Sequence, residues 1–319
     1  MYDVIIAGGG PAGLTAGIYA ARSNLKTLLI RSAYKTSLIT TTDLIENYPG
    51  FPDGIGGFEI VERFTSQALR FGLEIIDDDI TAVSKTHMDN LEAWEVTTPG
   101  GAYKALSLIV STGTEYAHLN VPGEDEFMGR GVSFCATCDG PFYRDGRLAV
   151  VGGGDTAIQE ALYLTNFASS VTIIHRRDRL RATAVLQDRA FANAKISFEW
   201  NAVVEEIIGD SSVNAVKLAD VSDPSRTKVL DVDGVFIFTG NIPNTGIFKG
   251  ILDMDAQGYI RVDAHMRTSA KGIFAGGDCT DKLLRQVVTA CGDGATAAFA
   301  AHDYISTLKG TSYGGFKAP

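Results

Sequence analysis

A glycine fingerprint occurs twice in this chain, and it limits the possible folds more than any other feature. Residues 2–7 read as a short apolar strand, followed by Gly8-Gly9-Gly10-Pro11-Ala12-Gly13 and an alanine-rich helical run from Leu14 to Ser23. Gly8, Gly10 and Gly13 form G-x-G-x-x-G in a strand–turn–helix setting. There, glycines let the backbone approach a pyrophosphate, and the helix N-terminus offers free amides. The pattern returns near the middle of the chain. Arg147 to Val151 is a strand, Gly152-Gly153-Gly154-Asp155-Thr156-Ala157 is its turn, and Ile158, Ala161, Leu162 and Leu164 continue as a helix. This G-x-G-x-x-A form is the accepted variant, so the chain predicts two dinucleotide sites.

The second strand of each unit ends differently. In such folds an acid about 20 residues beyond the glycines binds a ribose, but Lys26-Thr27-Leu28-Leu29-Ile30 runs into Arg31-Ser32. In the later unit, Ser170 to Ile174 ends in His175-Arg176-Arg177-Asp178-Arg179-Leu180-Arg181. Arginines at this tip fit the 2′-phosphate of NADP with forked donors, where an acid would repel it. A solvated basic surface is the plainer alternative.

Between the units lies Cys135-Ala136-Thr137-Cys138-Asp139-Gly140. Two thiols at this spacing can close a ring that two electrons reopen, and a carboxyl group follows to move protons. The same spacing is half of a zinc site. Cys279 and Cys291, however, stand 12 residues apart, and the five histidines are scattered singly, so no metal is expected.

With 319 residues, two domains are expected. A net charge of −10 argues against nucleic acid or an anionic membrane as partner. No run of about 18 apolar residues is present to span a bilayer, no basic leader precedes Tyr2, and four cysteines are too few for a disulfide scaffold. Cytoplasm is the expected compartment.

Other stretches give local expectations. Thr36 to Asp43 is polar, and Glu46-Asn47-Tyr48-Pro49-Gly50-Phe51-Pro52 is an ordered loop or a plain connector. Residues 57–71 predict a helix with Phe58, Val61, Phe64, Ala68 and Leu69 on its apolar stripe, and residues 73–112 a small antiparallel sheet. The last of these strands runs into Ser111-Thr112-Gly113, and Pro122-Gly123 reads as a hinge. Leu230 to Thr239 is one closing strand. Gly272 to Ala275 is a buried strand ending in Gly276-Gly277-Asp278, before an alanine-rich helix from Ala295 to Ala301. Asp278 is placed to accept from a ribityl hydroxyl or to cap a helix. The tail from Thr311 to Pro319 is expected to be loose.

Taken in order, these motifs resemble the low-molecular-weight thioredoxin reductases of bacterial and archaeal type, over essentially the whole chain. Besides both glycine loops and the cysteine pair, Glu46-Asn47-Tyr48-Pro49-Gly50-Phe51, His175-Arg176-Arg177-Asp178 with Arg181, and Gly277-Asp278 with Arg285-Gln286-Val287 carry the resemblance. It implies an α/β fold of two Rossmann-like domains, the second inserted in the first, with small antiparallel sheets. FAD would occupy residues 1–117 and 245–319, and NADPH and the disulfide residues 118–244. Rotation about linkers near Ala117–Gly123 and Gly240–Thr245 is implied, as are a homodimer and a thioredoxin-like protein substrate. Cys138 would face the flavin, Cys135 would attack the substrate, and Asp139 would be the acid–base group.

The residues implied for FAD are Gly8, Gly10, Pro11, Ala12, Gly13, Arg31, Ser32, Leu38, Thr40, Asn47, Ile80, Gly113, Asp278, Arg285, Gln286 and Val287. Those for NADPH are Gly152, Gly153, Gly154, Asp155, Thr156, His175, Arg176, Arg177 and Arg181. Departures from the family are Arg31-Ser32 and Lys35-Thr36-Ser37-Leu38, where Glu and then Gly-Gly-Gln-Leu are usual, and Ala117 in place of Arg. Ser32 and Lys35 are expected to take over the ribose. Arg31 lies 23 residues after Gly8 and Arg176 lies 24 after Gly152, so a second NADP site is the rival reading of the first unit. A reductase drawing on another carrier such as ferredoxin, one acting on a different protein disulfide, and a non-catalytic sensor are the alternative functions.

Overall fold

The first apolar run forms β1 (Tyr2–Ala7), and its last four residues are buried. The computed structural model describes residues 1–42 and 44–311, leaving aside the side chains of Thr41 and Cys138. Asp43 and the tail beyond Thr311, including the stretch expected to be loose, lie outside the described residues. Helix α1 (Pro11–Arg22) starts three residues earlier than expected, because Gly10 is extended and Pro11 fits the first helical position. Then come β2 (Thr27–Arg31), α2 (Gly57–Arg70), β3 (Glu74–Asp77), β4 (Ala82–Met88), β5 (Leu91–Thr98), β6 (Gly101–Val110) and β7 (Thr114–Tyr116).

The inserted segment continues with β8 (Val132–Ser133), α3 (Ala136–Asp139), β9 (Arg147–Val151), α4 (Asp155–Leu164), β10 (Ser170–His175) and α5 (Ala184–Ala192). After it run β11 (Ile196–Trp200), β12 (Ala202–Gly209), β13 (Val213–Asp220), β14 (Thr227–Asp231), β15 (Gly234–Ile237) and β16 (Asn241–Pro243). The chain ends its regular structure with β17 (Ile273–Ala275) and α6 (Val287–Leu308). It divides into one unit of Met1–Glu115 with the chain from Ile242 onward, and a second of Tyr116–Asn241.

In the first unit the sheet order is β3-β2-β1-β6-β5-β4, with β17 also on β6. The stretch 73–112 is therefore not a separate sheet. β3 lies parallel to β2, and β6 lies parallel to β1. Ten residues make β6 long enough for two partners on one edge. Gly101–Ala105 pairs antiparallel with β5, and Leu108–Val110 pairs parallel with β17. Side-chain alternation sends Val4 and Ile6 to one core and Ile5 and Ala7 to the other. Helix α2 turns Gly57, Ile60, Val61 and Ala68 inward with Phe64 packed beside them, as the stripe predicted for Val61, Phe64 and Ala68, but leaves Phe58 and Leu69 at 64% and 52% exposure. The cause is Gly57: a methyl group there would stand 1.8 Å from the Ile39 carbonyl oxygen, so its face must be the inner one.

The second unit repeats the plan with a parallel sheet, β11-β10-β9-β15-β8, beside an antiparallel β12-β13-β14. The expected single strand Leu230–Thr239 is broken, since β14 belongs to the antiparallel sheet and β15 to the parallel one. Buried Val232 and half-exposed Asp233 turn the corner, and the Arg147 amide donates to the Asp233 carboxylate at 2.7 Å. Pro122-Gly123, expected as a hinge, lies inside the second unit rather than at its boundary. Ile207 N donates to Pro122 O at 2.9 Å, and a methyl group on Gly123 would lie 2.0 Å from Ile207 O, so this turn is clamped on β12. No described helix is long and apolar enough to cross a membrane.

Helix α6 extends far beyond the expected Ala295–Ala301, starting at a capping box made by Gln286 and Thr289. It lies so close to α1 that a methyl group on Gly294 would stand 2.1 Å from the Ala12 carbonyl oxygen. Gly294→Ala should therefore destabilise the protein by about 1–3 kcal/mol through overpacking, although alanine is the better helix former by about 1 kcal/mol. A urea midpoint equal to or above wild type would contradict this contact.

Candidate active site

The glycine loop of the first unit is held by near-contact of backbones. A methyl group on Gly8 would lie 2.2 Å from Ser111 O, and one on Gly13 would lie 1.9 Å from Gly8 O. Gly8 has φ +115°, which glycine adopts without strain. Gly10 caps α1 and Pro11 opens it, so the free amides of the first turn face the strand ends. Ala12 is buried and sits 2.8 Å from the methyl position of Gly277. Thus the loops 8–13, 111–113 and 276–278 converge at the C-terminal ends of β1, β6 and β17, where open α/β sheets bind ligands.

Asp278 stands at this junction. Its Oδ1 is buried and has no hydrogen-bond partner among the described residues, and burial raises its pKa against the lowering charges of Lys282 and Arg285. A buried acceptor left without a donor is costly and marks a place for a ligand's hydroxyl. Arg285 is fixed by donating to Asp278 O and Thr280 O, with its guanidinium 3.9 Å from the centre of the Tyr259 ring. Asn47 Nδ2 donates to Gln286 Oε1 at 3.0 Å, which ties the loop after β2 to the start of α6 at Val287. Leu38 and Thr40 lie in a short 3₁₀ turn, Leu38–Thr41, and Thr40 Oγ1 donates to Ser37 O. Ile80 packs on the core below β2, and Gly113 O accepts from Asn244 N.

The second loop has the same skeleton. A methyl group on Gly152 would meet Phe238 O at 2.4 Å. Asp155 opens α4, but its Oδ1 already accepts from Thr183 N at 2.6 Å, which makes it a brace for the loop after β10, while Thr156 is exposed. Arg181 N donates to Gly153 O at 2.7 Å. Arg176, Arg177 and Arg181 are exposed, and among the described residues none of them ion-pairs with a carboxylate. His175 is 5% exposed, and its Nε2 has no hydrogen-bond partner among the described residues. Burial, then the charges of Arg181, Arg177 and Arg176, lower its pKa.

Comparison of the two loops corrects the expected equivalence of Arg31 and Arg176. The methyl position of Gly9 lies 2.8 Å from Arg31 Cβ, and that of Gly153 lies 2.5 Å from the His175 ring. Gly10 faces Ser37 as Gly154 faces Arg181. Arg31 thus matches His175, and the counterparts of Arg176, Arg177 and Arg181 are Ser32, Ala33 and Ser37. Nor do Ser32 and Lys35 stand free. Ser32 Oγ accepts from the amides of Tyr34 and Lys35, and Lys35 Nζ lies 2.8 Å from Glu115. Arg31 is itself paired with Asp77, which the sequence reading missed. The signal was an acidic run, Asp77-Asp78-Asp79, at the end of a strand pattern.

Cys135 is disulfide-bonded, whereas Cys279 and Cys291 are free thiols. The Cys138 side chain lies outside the described residues. Cys135 N donates to Ser133 Oγ at 3.0 Å, and its Sγ lies 3.5 Å from Thr137 Oγ1. The short helix α3 is anchored by fully buried Ala136 and by Asp139 N donating to Cys135 O. Asp139 also adds to the burial that raises the pKa of Tyr143. The disulfide and the arginine-lined loop belong to the same unit.

Two glycine-loop nucleotide folds, one carrying a disulfide, define a dinucleotide-dependent disulfide oxidoreductase. The pyridine nucleotide-disulphide oxidoreductase family model matches residues 2–294. The thioredoxin reductase of Treponema pallidum is 46% identical over 308 residues, covering 97% of this chain and 98% of that protein. That of Listeria innocua is 47% identical over 310 residues, covering 97% and 95%. The crystal structure of Lactococcus lactis thioredoxin reductase superposes with a TM-score of 0.91 at 40% identity, covering 96% of this chain and all of that one. The chain belongs to the pyridine nucleotide-disulphide oxidoreductase family and, within it, to the thioredoxin reductases.

His175 gives this site a pH signature. The unfolded imidazole takes a proton near 6.5, while the folded one resists it, so the unfolded state binds more protons below that pH. Stability should fall as pH drops through about 6.5, and His175→Asn should flatten that slope in urea titrations. An unchanged slope would show that His175 does not titrate as its burial requires.

Proposed function

We propose that this enzyme is a thioredoxin-disulfide reductase that takes FAD in the first unit and NADPH in the second, passing electrons to the Cys135–Cys138 disulfide. The observation that carries the reading is the disulfide at Cys135 on the same unit as three arginines at a glycine loop that have no carboxylate partner among the described residues. The first unit complements it with the orphan Oδ1 of Asp278, which fits a ribityl hydroxyl, and with a glycine loop in which Gly8 and Gly13 have no room for a side chain. Bound together, the cofactors supply hydride transfer and a two-electron carrier.

The chain's own residues do the rest. Gly8 to Gly13 and the first turn of α1 hold a pyrophosphate, Asp278 accepts from the ribityl chain, and Arg285 stiffens the wall beside it. Gly152 to Gly154 hold the second pyrophosphate, and Arg176, Arg177 and Arg181 grip the 2′-phosphate. Two electrons and two protons open the disulfide to a dithiol. The Cys135 thiolate then attacks the disulfide of a thioredoxin-like protein, and Cys138 resolves the mixed disulfide, releasing the reduced partner. Asp139 exchanges protons with the Cys138 sulfur. The enzyme works in the cytoplasm as a homodimer, in line with its family.

Absorption spectra during NADPH titration test this directly, since bound flavin bleaches on reduction. Cys135→Ser should abolish reduction of a thioredoxin while the flavin still bleaches with NADPH, and retained thioredoxin turnover would refute the relay. Arg177→Ala should raise KM for NADPH about ten- to a hundredfold, the worth of one charge-assisted contact of about 1.5–3 kcal/mol. Its kcat/KM with NADH should stay near wild type, and an equal loss with both coenzymes would remove the 2′-phosphate role.

A further inference from the structure

We propose that the first unit seats the adenosine ribose of its flavin dinucleotide on an ion pair, Arg31 with Asp77, rather than on one carboxylate. The inference rests on the reading of that unit as the FAD unit. β2 and β3 run parallel with Arg31 opposite Asp77, both at the C-terminal strand ends where the ligand crevice lies. Arg31 Nε contacts Asp77 Oδ1 at 2.5 Å. The stem of Arg31 rests against Gly9, 2.8 and 2.9 Å from its methyl position. Any side chain on Gly9 would displace it, so the guanidinium is fixed from below and from the side.

The pair has unused hydrogen-bonding capacity on its open edge. Only Nε is engaged, so the two terminal nitrogens of Arg31 have no protein acceptor among the described residues. The side chains are 37% and 59% exposed. A ribose hydroxyl both donates and accepts: it accepts from the guanidinium and donates to the free oxygen of Asp77. The acid usual at the end of the second strand has thus moved to the end of the third.

The same geometry rejects a 2′-phosphate. The positions that carry three arginines in the second unit are Ser32, Ala33 and Ser37 here, and Lys35 is spent on Glu115. One guanidinium neutralised by one carboxylate leaves no net charge for a phosphate bearing about −1.5 to −2. The first unit is therefore not a second NADP site.

The test removes flavin from the full-length protein and titrates back FAD or FMN, following flavin fluorescence. FMN lacks the adenosine half. Arg31→Ala and the near-isosteric Asp77→Asn should each weaken FAD at least about tenfold while leaving FMN within about twofold. The exchange Arg31→Asp with Asp77→Arg, which keeps the pair, should bind FAD within about threefold of wild type. Unchanged FAD affinity in both single variants, or equal losses of FAD and FMN, would overturn the seat. So would displacement of FAD by 2′,5′-ADP more readily than by ADP. Wild-type protein that takes up neither flavin would overturn the functional reading as well.

Discussion

Backbone touching backbone is the constraint on which this structure depends. At Gly8, Gly13, Gly152 and Gly294 a methyl group would stand between 1.9 and 2.4 Å from a carbonyl oxygen of a neighbouring segment. Real carbon–oxygen contacts do not reach such distances, so these segments meet only where the side chain is absent. The first helix can then begin directly over the strand ends, and its unpaired amides point into the crevice. α6 closes the same crevice by resting on Ala12. Loosening any of these contacts would move the helix N-terminus away from where a pyrophosphate must lie.

The two units use one skeleton for opposite electrostatic ends. In each, the middle glycine of the loop faces the last residue of the second strand, Arg31 in one and His175 in the other. In the first unit the cation there is cancelled by its neighbour on the next strand. In the second a buried imidazole lies beneath three arginines that ion-pair with no carboxylate among the described residues. The fold fixes where charge can be placed, and the residues around the loop decide how much is left for a ligand.

Much of this was legible in the sequence, for physical reasons. Glycine spacing reports a local backbone requirement, so both loops, their strands and the basic tip after β10 could be read directly. The cysteine pair was equally local. What failed depended on partners distant in sequence. The apolar stripe placed Val61, Phe64 and Ala68 correctly, but Phe58 and Leu69 face outward because Gly57 must face Ile39. The antiparallel hairpins joined the main sheet because β6 pairs with β1, nearly a hundred residues away. Pro122-Gly123 looked like a hinge by composition, but its bonds to β12 are made by residues about 85 positions later. The pair of Arg31 with Asp77 was hidden likewise, since no motif links the ends of β2 and β3. Counting residues misaligned the two repeats by one, and the steric partners of the glycines set them right.

The shared edge of β6 bears on how the chain is made. Its Gly101–Ala105 half finds β5 at once, but its Leu108–Val110 half waits for Ile273–Ala275, which follow the entire inserted unit. The inserted unit is continuous in sequence and needs no later residues to complete its sheet, so it can close while the remainder is still on the ribosome. Until then three residues of an apolar strand edge in the first unit stand open, the kind of edge that pairs with other chains. Trp94, whose indole donates to Lys271 O, bolts that late seam once it forms. The first half of the protein is thus finished last, only once β17 has been made.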